Sequence, residues 1–403
     1  MSAKNDPRIL FLIDMGRALH SYGIPAHRLE DALGNTATRL GIRAEFFSGP
    51  TSLISSFGKP GEQHTSLSRV APGQLQLDKL VELDNVVESL YRDEISVEVA
   101  DARLHEIDNA PPRFGPVLTI IAFGLSSATV ARFFAGGYSE ISAALVLGLV
   151  TGALAVGLAR TDSGTRIFEF FAAAMVTFLA TAFSILVWPL SSGIVVIASL
   201  IVLLPGLALT LSLNELGTGH LVSGTARFAG AIMTFMKIGI GAAVGRQAAQ
   251  FLPGEIPHVD PSTAPVWTLW VALFIVPAAL SVLFRARRQE LPWIAVGTTV
   301  AYWGTFYGVT YLGPLLGAAV GACLSGLAAN VFARLKRRPA VVLVVPSLIL
   351  LVPGSIGYSS LELMMESDVL SGLDTAVTTM LVGVSLVAGL LLSNVLVPPR
   401  NAL

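Results

Sequence analysis

Two short strings in this sequence stand where an ordinary membrane helix would not tolerate them. Pro205-Gly206 and Pro353-Gly354 each interrupt an apolar run long enough to cross a bilayer. Proline has no backbone N–H and glycine loosens the chain beside it, so carbonyls are released inside a low-dielectric layer. Such breaks are tolerated where they line protein or a wet cavity. The chemistry they permit is recognition: a half-helix N-terminus can meet a carboxylate, and freed carbonyls can meet an ammonium. A plain proline kink is the competing reading. The two breaks lie 148 residues apart, and at that offset Ile201, Leu203, Ser212, Leu213, Ser223, Gly224 and Gly241 also meet identical residues. Paired interruptions in two halves of a chain point to the central site of a transporter.

Charged residues supply the other candidates. Lys237 falls near the middle of an apolar run, where an ammonium is costly and faces the protein interior or a water path. It could hold a substrate carboxylate or change protonation state; a structural or snorkelling lysine is the alternative. Asn214, Glu215 and Arg227 bracket the first Ser-Gly pair, read as a loop. Glu362, Glu366, Asp368 and Asp374 bracket the second. Acids at a mouth can gather cations or carry protons, although most loop charges are simply solvated. Asn330 and Asn394 suit interhelical hydrogen bonds. The segment Phe46–Thr51 is read as strand, turn and strand with core aromatics, ahead of a small-ligand pocket. The six histidines show no ligand spacing and Cys323 is alone, so no metal or cofactor is assigned. The chain lacks Walker, GxSxG and HExxH motifs, which leaves ATP-driven transport and the common hydrolase chemistries without support. It is read as a non-enzyme.

The elements that must position these residues follow from composition. Of 403 residues, 53% are hydrophobic and 13% charged, with mean hydropathy +0.70, which marks an integral membrane protein. Residues 1–113 carry 28 of the 53 Asp, Glu, Lys and Arg, so a small soluble domain precedes the membrane part. Its period reads helix (Arg8–Tyr22), helix (from Pro25), three strands (Ile42–Ser48, Thr51–Phe57, Gln63–Val70) and two helices (Leu75–Tyr91, Val97–Ile107). No cleavable signal precedes it, so the expectation is that it stays in the cytoplasm. Ten spans are expected, at 116–136, 139–159, 168–187, 191–212, 225–246, 265–284, 291–311, 313–333, 340–357 and 372–396. With the N-terminus inside, eleven Lys and Arg fall in inner segments and two in outer ones. Five spans per half is an odd number, so the repeats are expected to be inverted, as 114–250 and 251–403. The fold class expected is a polytopic α-helical membrane protein of two inverted five-helix repeats behind an α+β domain. Inverted copies exchange conformations at similar energy, the basis of alternating access. The net charge of −1 offers nothing to nucleic acid, and oligomeric state is left open.

The chain resembles the threonine/serine exporter family of bacterial plasma membranes. The resemblance rests on LIDMGRALHSYGIPAHRLEDAL (Leu12–Leu33), FFSGPTSLISSFG (Phe46–Gly58), the APPRFGP linker (Ala110–Pro116), PGLALTLSLNELGTGHLVSGTARFAGA (Pro205–Ala231), LVPGSIGYSSLELMMESDVLSGLDTA (Leu351–Ala376) and NVLVPPR (Asn394–Arg400). It implies a cytoplasmic N-terminal domain, ten spans, and export of threonine and serine driven by the proton motive force. Partners are then the lipid bilayer, small amino acids and protons. A split form of the family linked to dicarboxylates keeps a succinate-like substrate as the alternative. A membrane-embedded enzyme and a passive channel are the weaker readings. The soluble domain is expected to gate transport.

Overall fold

The computed structural model describes residues 6–71, 73–255, 257, 259, 263–351, 354–365 and 368–399. Pro353, Glu366 and Arg400 therefore lie outside the described residues.

The N-terminal part follows its periodicity closely. Helix α1 (Pro7–Ser21) opens where the Asp6 carboxylate accepts the Arg8 N–H and proline occupies the first turn. It stops at Gly23, whose φ of 80° suits glycine. Helix α2 (Ala26–Arg39) begins after Pro25, which supplies no side-chain cap. Strands β1 (Ala44–Ser48), β2 (Ser52–Phe57) and β3 (His64–Arg69) form an antiparallel meander in the order β1-β2-β3. Leu53 and Phe57 of β2 turn inward against α1. The other face shows one row of apolar side chains, because Phe47 pairs with Ile54 and Ile54 with Leu67. Helices α3 (Leu77–Tyr91) and α4 (Val97–Asn109) complete the layer.

The core of this layer does not stop at its own boundary. Leu77, Leu80, Leu83 and Val87 belong to one buried set with Ala286, Ile294, Phe332, Ala333 and Leu343 of the helical part. Leu77 N–H donates to the Phe284 carbonyl at 3.0 Å. Arg285 Nη1 donates to Gln76 Oε1 at 2.9 Å and Arg338 Nη1 to Asn85 Oδ1 at 2.8 Å. The domain therefore sits against segments expected to be inner and basic.

The helical part comprises α5 (Pro116–Phe133), α6 (Tyr138–Leu158), α7 (Asp162–Leu186), α8 (Ser192–Leu200), α9 (Gly206–Gly217), α10 (Leu221–Ala249), α11 (Trp267–Leu283), α12 (Leu291–Lys336), α13 (Val341–Leu351), α14 (Gly354–Met365) and α15 (Val369–Leu396). Among the described residues, seven helical stretches are long and apolar enough to cross a membrane, and α11 is apolar but shorter. The ten expected spans differ from this in instructive ways. The run 191–212 is not one helix, because Ile201–Pro205 forms a turn between α8 and α9. The runs 291–311 and 313–333 are the two helical arms of α12, which part at Gly313 as the boundary expected, but with no loop between them. Gly313, at φ 82° and ψ 172°, reverses the chain there. Its two arms fold back so closely that a Cβ on Gly308 would lie 2.8 Å from the Gly317 Cα.

Helices α10 and α15 start 148 residues apart. Gly224 on α10 packs against Leu216, and Gly372 on α15 packs against Met364, at the same offset. Ser223-Gly224 and Ser371-Gly372, expected in loops, lie instead in the first turns of α10 and α15. Glycine there admits the preceding half-helix at close range.

Candidate functional site

The interrupted segments come together. Pro205, at φ −79° and ψ 35°, ends the turn and Gly206 starts α9. Gly354 starts α14. A Cβ on Gly354 would lie 3.3 Å from the Gly206 Cα and 3.4 Å from the Leu204 Cβ. The first turn of α9, whose backbone N–H groups have no carbonyl one turn earlier, thus lies against Gly354. The partial positive charge at the start of α9 favours an anion beside it. Hydroxyls missed by the sequence reading stand nearby in the chain. Ser199 on α8 and Thr210, one turn into α9, are fully buried, and their side-chain oxygens have no hydrogen-bond partner among the described residues. Buried hydroxyls are rarely left so without a ligand or water to satisfy them. Their signal in the sequence was their spacing from Pro205.

The opposite end of α9 meets the N-terminal domain. Glu215 is completely buried. Arg227 Nε donates to its Oε2 at 3.2 Å and Arg227 Nη2 to its Oε1 at 3.1 Å. The Ala26 N–H at the start of α2 also donates to Oε1, at 3.0 Å. A carboxylate from one domain therefore caps an uncapped helix of the other. Beside it, Asn214 Nδ2 and His27 Nε2 are 3.5 Å apart and the His27 and His220 rings lie 5.9 Å centre to centre. His220 Nε2 stands 3.4 Å from Glu30 Oε2. Burial, reinforced by the Arg28 charge, pushes the His27 imidazole down to about 4, so it is neutral at physiological pH. The histidines escaped the sequence reading because their partners lie some 190 residues away.

The remaining candidates divide. Lys237 Nζ donates to Glu169 Oε2 at 3.2 Å, joining α10 to α7 beside exposed Met233, Met236 and Ile240. It has a counter-ion that the sequence reading overlooked. Glu362 lies on α14, and Asp374 is exposed on α15. Asp368, expected at a mouth, accepts the Ser371 N–H and caps α15. Glu140 is buried and accepts the Gly137 and Ser191 N–H groups. Asn330 Nδ2 donates to Asn394 Oδ1 at 2.9 Å, the interhelical bond its type suggested. Phe47, expected as a core aromatic, is 48% exposed. Asp14, Asp101 and His105 converge on the surface of the N-terminal domain with donor atoms within 4.8 Å. Arg17, 3.4 Å from Asp14, supplies part of the counter-charge, and the group is an exposed ionic cluster.

Comparison with known proteins adds the family. Residues 10–248 match the family model described as "Putative threonine/serine exporter", and residues 269–396 match a second, "Threonine/Serine exporter, ThrE". The chain is also similar to fungal proteins named pheromone-regulated membrane protein 10. The one from Candida albicans (strain WO-1) is 27% identical over 385 residues, covering 91% of this chain and 34% of that protein. The one from Yarrowia lipolytica is 28% identical over 365 residues, covering 86% and 30%. The one from Saccharomyces cerevisiae (strain YJM789) is 27% identical over 379 residues, covering 91% and 48%. The chain thus spans about a third to a half of the length of these relatives. No solved structure matches it. With both family models matched in order, one on each side of the helical part, this multi-pass membrane protein belongs to the threonine/serine exporter family.

Proposed function

We propose that this protein is a secondary exporter that moves threonine, serine and similar small amino acids out of the cytoplasm, driven by the proton motive force. In this reading the helical part holds ten spans in two inverted five-helix repeats, 114–250 and 251–403. It sits in a bacterial plasma membrane with the 1–113 domain in the cytoplasm. The observation that carries the reading is the approach of Gly206 to Gly354. A half-helix that begins within an apolar run at Gly206, close to the matching segment of the other half, suits a substrate carboxylate. The hydroxyls of Ser199 and Thr210, buried without partners, suit a small polar side chain. Pro205, Gly206, Pro353 and Gly354 are assigned to the substrate path. Asn214, Glu215 and Arg227 are assigned to the domain junction at the inner end of α9. A succinate-like dicarboxylate is the second reading.

The test is efflux of labelled threonine from preloaded cells expressing the protein, with and without a protonophore. Efflux above the empty-vector control that collapses with the gradient is the expected result. Succinate efflux without threonine efflux would replace the first reading by the second. Threonine efflux untouched by the protonophore would remove proton coupling.

A further inference from the structure

A cleft of about 330 Å³ lies where the N-terminal domain meets the start of α10. Glu30, Phe47 and Ser48 form one wall and Gly219–Ser223 the other. It is distinct from the Gly206–Gly354 approach, which lies at the far end of α9, about 18 Å along a 12-residue helix.

Its walls combine four features. The 29-residue helix α10 starts here with no side-chain cap, and the Val222 and Ser223 N–H groups have no backbone acceptor among the described residues. Ser48 is 4% exposed, yet its hydroxyl makes no hydrogen bond among the described residues. The Glu30 carboxylate is held in place from both sides. Its Oε1 accepts the Ser48 N–H at 2.7 Å and its Oε2 stands 3.4 Å from His220 Nε2. Phe47, Leu221 and Val222 add exposed apolar surface.

We propose that this cleft binds the zwitterion of a small hydroxylated amino acid on the cytoplasmic side of the protein. The α-carboxylate meets the N-terminus of α10, and the ammonium meets Glu30. The side-chain hydroxyl meets Ser48, and a methyl group such as that of threonine lies on Phe47 and Val222. A dicarboxylate fits poorly, because one of its ends would face Glu30. A divalent cation fits poorly as well, because the walls present a single carboxylate and a helix N-terminus repels cations. The identity of the ligand rests on the substrate class proposed above; the cleft and its polarity do not.

The test uses the full-length chain in a Cys323→Ser background with Val222→Cys as the single thiol, purified in detergent and labelled with a maleimide. Threonine and serine should slow labelling. Threonine methyl ester, which lacks the carboxylate, 3-hydroxybutyrate, which lacks the ammonium, and succinate should not. Glu30→Gln and Ser48→Ala should each raise the threonine concentration for half-protection by about tenfold, as for loss of one polar contact. Ser48→Ala is the safer variant, because Ser48 side-chain removal breaks no bond. Unchanged labelling with threonine and serine, equal protection by succinate, or full protection in folded Ser48→Ala would each overturn the proposal. Threonine efflux without protection would sink the cleft and leave the exporter standing. Protection without efflux would sink the exporter and leave the cleft.

Discussion

Glu215 shows how much one side chain can be asked to hold. Its carboxylate is fully buried, faces a guanidinium that is itself only 31% exposed, and caps a helix from another domain. Removing one partner of such a pair leaves an uncompensated buried charge, which costs about 3–5 kcal/mol. Glu215→Ala should therefore lower the thermal midpoint strongly. Glu215→Gln should lower it less, because the amide oxygen still accepts the Ala26 N–H. Equal losses would show that the cap contributes nothing. Lys237 and Glu169 form a second test at this scale. Lys237→Ala should destabilise by leaving Glu169 alone, and adding Glu169→Ala should recover much of the loss, a coupling that a double-mutant cycle in thermal unfolding reads directly. If Lys237 instead holds substrate, the double variant will regain stability without regaining efflux. His27 sets a pH dependence. Its folded pKa is lowered from 6.5 to about 4, so burial stabilises the neutral ring. That contribution is fully present above about pH 6.5 and is lost as pH falls towards 4. The charges around it are Arg28, Asp31, His220 and Arg227. The melting temperature should fall across that window, and His27→Gln should flatten the fall.

At the level of the element, glycine placement separates packing from freedom. A side chain on Gly354 would press on Gly206 and Leu204. Gly354→Leu should thus abolish efflux while the protein still inserts, because the Gly354 segment could no longer approach the start of α9. Gly157 and Gly230 have open space around the same position. Gly230→Ala should preserve efflux and add about 0.5–1 kcal/mol of stability through helix propensity alone. Parallel efflux and melting measurements on the two variants check both. Most helices could be read from the chain itself, since Asp6, Ser96 and Thr161 cap α1, α4 and α7 by local bonds. The break before Gly206 was also legible, from Pro205. The reversal at Gly313 was legible only as a weak boundary. A helix and a hairpin share the same apolar period there, and a single positive φ decides between them.

For the whole molecule, the continuity of the core matters most. Leu77 and Leu80 share one buried set with Ile294, Phe332 and Leu343. Deleting residues 1–110 would expose that apolar surface on the helical part. The truncated chain should be less stable in detergent and more prone to aggregate than the full chain, as size-exclusion profiles would show. A monodisperse truncated protein with an unchanged melting temperature would contradict this. The same continuity explains why the charge-dense first 113 residues, separate by composition, are not separate in packing.

The sequence by itself determined what local rules decide. Composition places the chain in a membrane, periodicity gives the helices and the three-stranded meander, and the spacing of Pro-Gly pairs marks the two interrupted segments. Those features depend on residues within a few turns of one another. Only the tertiary structure decided the partners. Glu215 with Ala26, Lys237 with Glu169, and Phe47 and Ser48 facing Val222 and Ser223 are separated by tens to hundreds of residues. A charge or a hydroxyl carries no record in its own neighbourhood of what will face it, because that depends on how whole helices pack.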